Sequence, residues 1–253
     1  MRLAWWIGGV AVALLYAWTF YYFFVSPTGF RWRALYGDAN YPKGYEIHGI
    51  DISHYQGEIN WDALRDAQIE GCPLRFVMIK ATEGSSRLDE NFKDNFMQAR
   101  EYGFIRGAYH FWSNKSSARS QAYHFLDKVR LQKGDLPPVL DLEPTDAQVR
   151  QMGGDDVLFR EALVWLREVE RRTGRKPVLY VGQTFVNKHM PHAPAALRGY
   201  DVWIARYGQF KPYVHLLHWQ LSCQGRVRGI QGDVDINVFN GTKEQFQEYV
   251  RRK

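Results

Sequence analysis

Two carboxylates set two residues apart, Asp141 and Glu143, close the short apolar run Leu136-Pro-Pro-Val-Leu140. Val139, Leu140 and Leu142 give this segment the character of a buried strand, on which residues i and i+2 point to the same face. Both acids therefore face one spot. Two charges on one face of a buried strand cost on the order of several kcal/mol unless they are paired or put to use. Acid/base chemistry is the economical use.

Two further acids sit inside apolar stretches: Asp51 in Gly49-Ile-Asp51-Ile-Ser53, and Asp235 in Asp233-Val-Asp235-Ile-Asn237. A helix cap or a buried hydrogen bond accounts for any one such residue. Four at matching places in separate strands point to a shared site. Crowding raises the pKa of at least one carboxyl, so that it stays protonated near neutral pH and can give a proton to a leaving oxygen. Glycoside hydrolysis needs that acid, together with a second, ionised carboxylate to steady the positive charge developing on the sugar. Glu143 has the longer reach and lies nearer the C-terminal end of its strand, which suits it to the general acid role. Asp141 is then the stabilising neighbour.

The elements that must position these residues follow a regular order. Strands are expected at Ile47–Ser53, Phe76–Lys80, Ile105–Trp112, Pro138–Glu143 and Pro177–Val181. Between them come helical stretches: from the N-cap Asn60 through Ile69, ending at Gly71; Asp89 to Tyr102, stopped by Gly103; Ser117 to Val129; and Asp155 to Thr173. Strand and helix in alternation are the signature of a parallel sheet with helices outside it. After residue 182 the pattern changes. Val202–Arg206, Leu216–Leu221 and Val234–Phe239 read as three more strands joined by turns or short helices, and Thr242 to Arg252 as a closing helix.

Eight strands with about five regular helices predict an α/β fold, a TIM-like (β/α) barrel with a reduced helix set. A doubly wound open sheet is the alternative. The barrel is favoured because Asp51, Lys80, His110, Glu143, Tyr180, Arg206, Gln220 and Asp235 fall in or at the ends of all eight strands, as a barrel's C-terminal face allows.

Taken together and in order, Gly49-Ile-Asp51-Ile-Ser53, Lys80-Ala-Thr-Glu-Gly84, Gly107-Ala-Tyr-His-Phe111, Leu140-Asp-Leu-Glu143, Tyr180, Trp203-Ile-Ala-Arg-Tyr207, Trp219-Gln220 and Val234-Asp-Ile-Asn-Val-Phe239 resemble glycoside hydrolase family 25. These are the Chalaropsis-type lysozymes, or N-acetylmuramidases. The resemblance runs from about residue 47 to 240. It implies a flattened barrel, no cofactor, and cleavage of the β-1,4 bond between N-acetylmuramic acid and N-acetylglucosamine in the glycan strands of peptidoglycan. It further implies Glu143 as proton donor, with Asp141, Asp51 and Asp235 lining the same site. The favoured mechanism has the substrate's own 2-acetamido group attack the anomeric carbon. Asp141 would steady the resulting oxazolinium ion and configuration would be retained, although an inverting route has also been argued for the family.

Tyr109, Tyr180, Trp203 and Trp219 are candidate stacking platforms for sugar rings, or core residues by alternation. Lys80, ending an apolar strand, is a candidate partner for a site carboxylate or a plain salt bridge. His54 and His110 lie beside the motifs and are candidates for substrate contact. The pairs His189/His192 and His215/His218 lack a third ligand at recognisable spacing, so no metal site is expected. The rival readings are a chitinase, which would carry further aspartates where this chain has Val139 and Leu136, a metal-dependent hydrolase using the acidic cluster, and a glycan-binding module without turnover.

At 253 residues, 45% hydrophobic, the chain suits one sizeable core. From Leu3 to Val25 there is no charge, long enough to span a bilayer of roughly 30 Å as a helix. A cleavable signal peptide is the rival, but the run is long for one and no small-x-small site precedes Ser26-Pro27. The expected organisation is a single-pass transmembrane anchor over residues 1–25, a linker over 26–44 and a catalytic unit over 45–253. That unit would lie on the cell-wall side of the membrane, as a monomer. The net charge of +6 is spread along the chain without a nucleic-acid-type cluster. Cys72 and Cys223 lack CxxC spacing and are more simply free than bridged.

Overall fold

The computed structural model describes residues 12, 14–19, 44–207 and 216–251. The chain divides into two compact units, Met1–Asn40 and Tyr41–Lys253. The expected anchor over residues 1–25 and linker over 26–44 lie almost wholly outside the described residues, of which 14–19 are helical. Among the described residues no helix is long and apolar enough to cross a membrane.

The second unit contains strands β1 (His48–Ile52), β2 (Gln68–Ile69), β3 (Cys72–Glu83), β4 (Arg87–Leu88), β5 (Ile105–Phe111), β6 (Val139–Asp141), β7 (Val178–Gly182), β8 (Asp201–Ala205), β9 (Leu216–Gly225) and β10 (Val234–Phe239). The sheet runs β1-β10-β9-β8-β7-β6-β5-β3, and a further β1–β3 pairing closes it. The result is an eight-stranded barrel, which decides against the open doubly wound sheet. Every pairing within it is parallel except those of β10, which is antiparallel to both β1 and β9. Only residues 226–233 join β9 to β10. A parallel crossover needs a dozen residues or more, whereas a hairpin closes over a few.

The helices are α1 (Trp61–Arg65), α2 (Phe92–Glu101), α3 (Ala118–Lys128), α4 (Asp146–Met152), α5 (Asp155–Thr173), α6 (Gln183–Lys188), α7 (Ala195–Arg198) and α8 (Lys243–Arg251). Asn60 caps α1 as expected, its side chain accepting from the Ala63 amide at 3.0 Å. The helix nevertheless stops at Arg65 rather than Ile69. Glu70 and Gly71 both have positive φ, 52° and 75°, and fold Ile69 back onto Cys72 in a two-residue hairpin. Helix α4 has no counterpart among the expected elements. Thr145 and Gln148 start it with a reciprocal capping box immediately after Pro144.

Two apolar layers flank the barrel wall. The outer one packs helices against strands, with Leu158, Phe159, Ala162, Trp165, Leu166 and Val169 of α5 buried in it. The inner one fills the barrel, where side chains of non-neighbouring strands meet: Phe76 and His218 have ring centroids 5.2 Å apart, Tyr109 and Trp203 6.3 Å. Phe246 and Tyr249 of α8 plug the floor against Phe239. Two motif glycines make this filling possible. A Cβ on Gly49 would lie 2.3 Å from the Phe76 ring, and one on Gly107 2.4 Å from Met78 Sδ. Small residues opposite large ones let a small barrel close over a packed interior. Cys72 and Cys223 are both free.

Candidate active site

The parallel strands end at one mouth of the barrel, and β10, running the other way, begins there. Asp235 therefore reaches the mouth from the first turn of its strand and stands directly opposite Asp51 in the β1–β10 ladder. A cavity of about 200 Å³ at this mouth is lined by Asp51, Ile52, Ser53, Tyr55, Gln56, Lys80, Tyr109, Phe111, Asp141, Glu143, Tyr180, Trp203 and Asp235. All four predicted acids meet here, as do Lys80, Tyr109, Tyr180 and Trp203. Two larger hollows lie elsewhere. One, about 670 Å³, is lined by Tyr123, Arg130, Arg172 and Arg175, among others. The other, about 610 Å³, includes Asp146, Asp155, Asp156, Lys188 and His189; Asp146 pairs with Lys188, and His189 Nδ1 lies 2.7 Å from Asp155 Oδ1. Neither brings together a cluster of carboxyls like that at the mouth.

Alternation along each strand decides who lines the cavity. On β6, Asp141 points inward and Leu142 outward, and Glu143 follows at the rim, exposed to solvent. A Cβ on Gly182 would lie 3.6 Å from Glu143 Oε1, so the neighbouring strand ends close against the acid's tip. The same alternation corrects two expectations. His218 and Gln220 face inward on β9, so Trp219 points outward, fully buried, with Nε1 donating to the Arg206 carbonyl at 2.7 Å and its ring edge-on to Tyr45. It is no sugar platform. Tyr109 points inward on β5, so His110 points outward between Thr82 Oγ1 at 2.7 Å and Gln121 Oε1 at 3.0 Å, stacked on Trp165. Burial pushes its pKa down to about 4, and it does not line the cavity at the mouth.

His54 also stays out of the cavity lining, its Nδ1 2.8 Å from Asp89 Oδ2. Lys80 lines the cavity, but its ion pair is with Glu83, Nζ to Oε2 2.9 Å. His215 lies outside the described residues, and His218 is a neutral floor residue whose pKa burial lowers to about 3. Among the described residues no three His, Cys, Asp or Glu side chains converge as a metal site.

The structure adds residues that sequence reasoning passed over. Tyr55, 81% exposed, stands on the rim immediately beyond the Asp51 motif. Gln56 folds back so that the Ser53 amide donates to its Oε1 at 2.8 Å, fixing the turn that presents Tyr55. An aromatic placed just past a strand end was the available signal. Gln220 and Asn237 bind Asp51 Oδ1 through their amide nitrogens, at 3.0 and 2.7 Å. Gln220 is among the strand-end candidates read from the sequence, though without this role, Asn237 is not, and both lie inside motifs that carry the family resemblance.

The four acids share one electrostatic predicament. Burial pushes Asp51 above the usual carboxylate range, although hydrogen bonds from Asn237, Gln220 and Asp235 pull it back. Asp235 is pushed up to about 9 by burial and by the adjacent Asp51. Asp141 is raised well above its ordinary value by burial, Glu143 and Asp51, with Lys80 opposing. Glu143, whose tip reaches solvent while the cavity wall partly desolvates it, is raised by that desolvation and by Asp51. At neutral pH this cluster holds protons that ordinary carboxylates have lost. Asp141 Oδ1 is buried without a hydrogen-bond partner.

A mouth of this composition, with a protonated acid beside a buried carboxyl and aromatic walls, suits transfer of a glycosyl group. The sequence pattern of the glycosyl hydrolases family 25 matches residues 50–230. The chain belongs to glycoside hydrolase family 25. YegX of Escherichia coli O6:H1 is 40% identical over 212 residues, 83% of this chain and 75% of that one. Lysozyme M1 of Streptomyces globisporus is 34% identical over 209 residues, 78% of this chain and 68% of that one. A solved family 25 glycosyl hydrolase from Bacillus anthracis has the same fold, with a TM-score of 0.72 at 30% identity over 83% of this chain and 96% of that one. The family 25 match ends before Asp235, which the barrel geometry brings to the site on its own account.

Proposed function

We propose that this family 25 hydrolase is a muramidase, cutting the β-1,4 bond between N-acetylmuramic acid and N-acetylglucosamine in peptidoglycan. The observation that carries the reading is the pairing of a solvent-reached acid, Glu143, with a buried carboxyl, Asp141, whose Oδ1 has no protein partner. Glu143 donates its proton to the glycosidic oxygen as the bond breaks. The substrate's acetamido oxygen closes on the anomeric carbon, and the resulting oxazolinium ion places an N–H and a positive charge where Asp141 can meet both. Glu143 then takes a proton from the water that opens the ring, which restores the acid and retains configuration. Tyr109, Tyr180, Trp203 and the rim residue Tyr55 offer apolar faces to the sugars, and Lys80 tempers the negative charge around Asp141.

The charge-free run Leu3–Val25 and a substrate that lies in the wall support a monomeric enzyme anchored by residues 1–25, with catalytic unit 45–253 held on the wall side by linker 26–44. Extraction of the full chain from membranes by alkaline carbonate would reject the anchor.

Mass spectrometry of purified sacculi digested by the protein tests the bond cut. Products ending in reducing muramic acid support the reading, and products ending in reducing glucosamine overturn it.

A further inference from the structure

The Asp51–Asp235 pair is chemically symmetrical but its surroundings are not. Trp203 Nε1 lies 2.8 Å from Asn237 Oδ1, and an indole N–H can only donate. The Asn237 oxygen is thereby fixed toward Trp203 and its nitrogen toward Asp51. Turning the amide over would set N–H against N–H and oxygen against carboxylate. Gln220 lies the same way round, its nitrogen toward Asp51 and its oxygen toward two tyrosine hydroxyls. Tyr180 and Tyr207 both bring their hydroxyls to Gln220 Oε1, at 3.0 and 3.4 Å, which leaves Nε2 for Asp51. Two oriented N–H groups therefore converge on Asp51 Oδ1, and among the described residues no comparable pair meets Asp235. Hydrogen bonds to a charged oxygen favour the charged form. The two carboxyls also bond to each other, which needs one proton between them.

We infer that Gln220 and Asn237 are positioning residues that hold Asp51 ionised and leave the shared proton on Asp235, so that the Asp51 charge keeps Glu143 in its acid form. The inference rests on the muramidase reading for the role of Glu143, but the proton's location does not. Besides Asp51, Asp235 and Glu143, the titratable groups facing this part of the mouth among the described residues are Asp141 on β6, Lys80 on β3, Tyr55 at the rim, Tyr109 on β5, Tyr180 on β7, Tyr207 just after β8 and Cys223 on β9, which bonds Tyr207. Tyr109, Tyr180 and Tyr207 are neutral, their pKa values raised by burial and nearby acidic groups. Lys80 is turned to Glu83. Of the acidic neighbours of Glu143 that remain, Asp51 and Asp141, only Asp51 receives oriented N–H donors, from Gln220 and Asn237.

The test is the alkaline limb of kcat/KM on sacculi, which reports loss of the Glu143 proton. Asp51→Asn should move the limb to lower pH by about one unit, the effect of removing a charge across a few ångströms of protein. Gln220→Met should move it in the same direction. Asp235→Asn should lower kcat but leave the limb in place, because its amide still donates to Asp51. A limb displaced equally by Asp51→Asn and Asp235→Asn, or unmoved by Gln220→Met, would overturn the inference. Should Gln220→Met fail to fold, carbon NMR of carboxyl-labelled aspartates in the intact protein decides the same point. Near pH 6 a carboxylate shift is expected for Asp51 and an acid shift for Asp235, and the reverse would defeat the proposal. An intact protein that releases nothing from sacculi counts against the muramidase reading, and the NMR result still locates the proton.

Discussion

Lys80 Nζ sits 2.9 Å from Glu83 Oε2 and 4.8 Å from the centre of the Phe111 ring, holding a cation at the edge of an otherwise acidic mouth. Its charge opposes the burial, Glu143 and Asp51 that raise Asp141. Lys80→Met removes that opposition. Asp141 then binds its proton more tightly, and the acid limb of the activity profile should move to higher pH by about one unit. An unmoved limb would show that Lys80 is not felt at Asp141.

Glu143→Gln should fold normally, because the side chain stands at an exposed rim. Its turnover of sacculi should fall about 100-fold or more, as for loss of a general acid. Asp141→Asn should be impaired to a similar degree through loss of charge stabilisation. Near-normal kinetics in either variant removes that residue from the mechanism.

The raised carboxyls also fix how stability depends on pH. Asp235 titrates at about 9 in the folded protein against 3.8 for an ordinary aspartate, so between these values the native state holds a proton that the unfolded state has lost. Stability is then complete below the lower value and declines as pH rises toward the upper one. Asp141 and Glu143, both raised, act with the same sign. Urea unfolding should give a lower midpoint at pH 8 than at pH 5, and Asp235→Asn should reduce the difference. A midpoint that rises with pH contradicts the assignment.

Gly49→Ala should cost roughly 1–3 kcal/mol, because the new methyl meets the Phe76 ring in a filled interior. Chemical unfolding measures the loss. A silent substitution would mean that the ring can move aside, and that the interior is looser than described.

Trp219→Phe separates two roles that the sequence left open. The indole bonds the Arg206 carbonyl behind the barrel wall, so the variant should lose about 1 kcal/mol of stability with an unchanged KM. A raised KM without loss of stability would restore Trp219 as a sugar contact.

The β/α order, the eight barrel strands and the four acids were legible because burial and period-2 alternation leave strong marks on a chain. Where two neighbouring residues competed for one face, the marks were ambiguous. Both Tyr109 and His110 suit a site, as do Trp219 and Gln220, and only the register of the closed sheet says which of each pair looks inward. The end of α1 was not legible because Gln68–Ile69 continues a helical apolar spacing, while Glu70-Gly71 turns it into a hairpin strand. The partners of Asp51 were harder still. Gln220 lies 169 positions away and Asn237 186, and nothing local in either side chain announces that it will orient a carboxylate.

Strand β10 is at once the stave that joins β9 to β1 and the carrier of Asp235 and Asn237. Closing the cylinder and completing the acid cluster are consequently a single event. An intermediate that has folded everything up to residue 225 has an open seam and half a dyad, so hydrolytic competence should appear all at once, with the final hairpin, and vanish the same way when that hairpin frays.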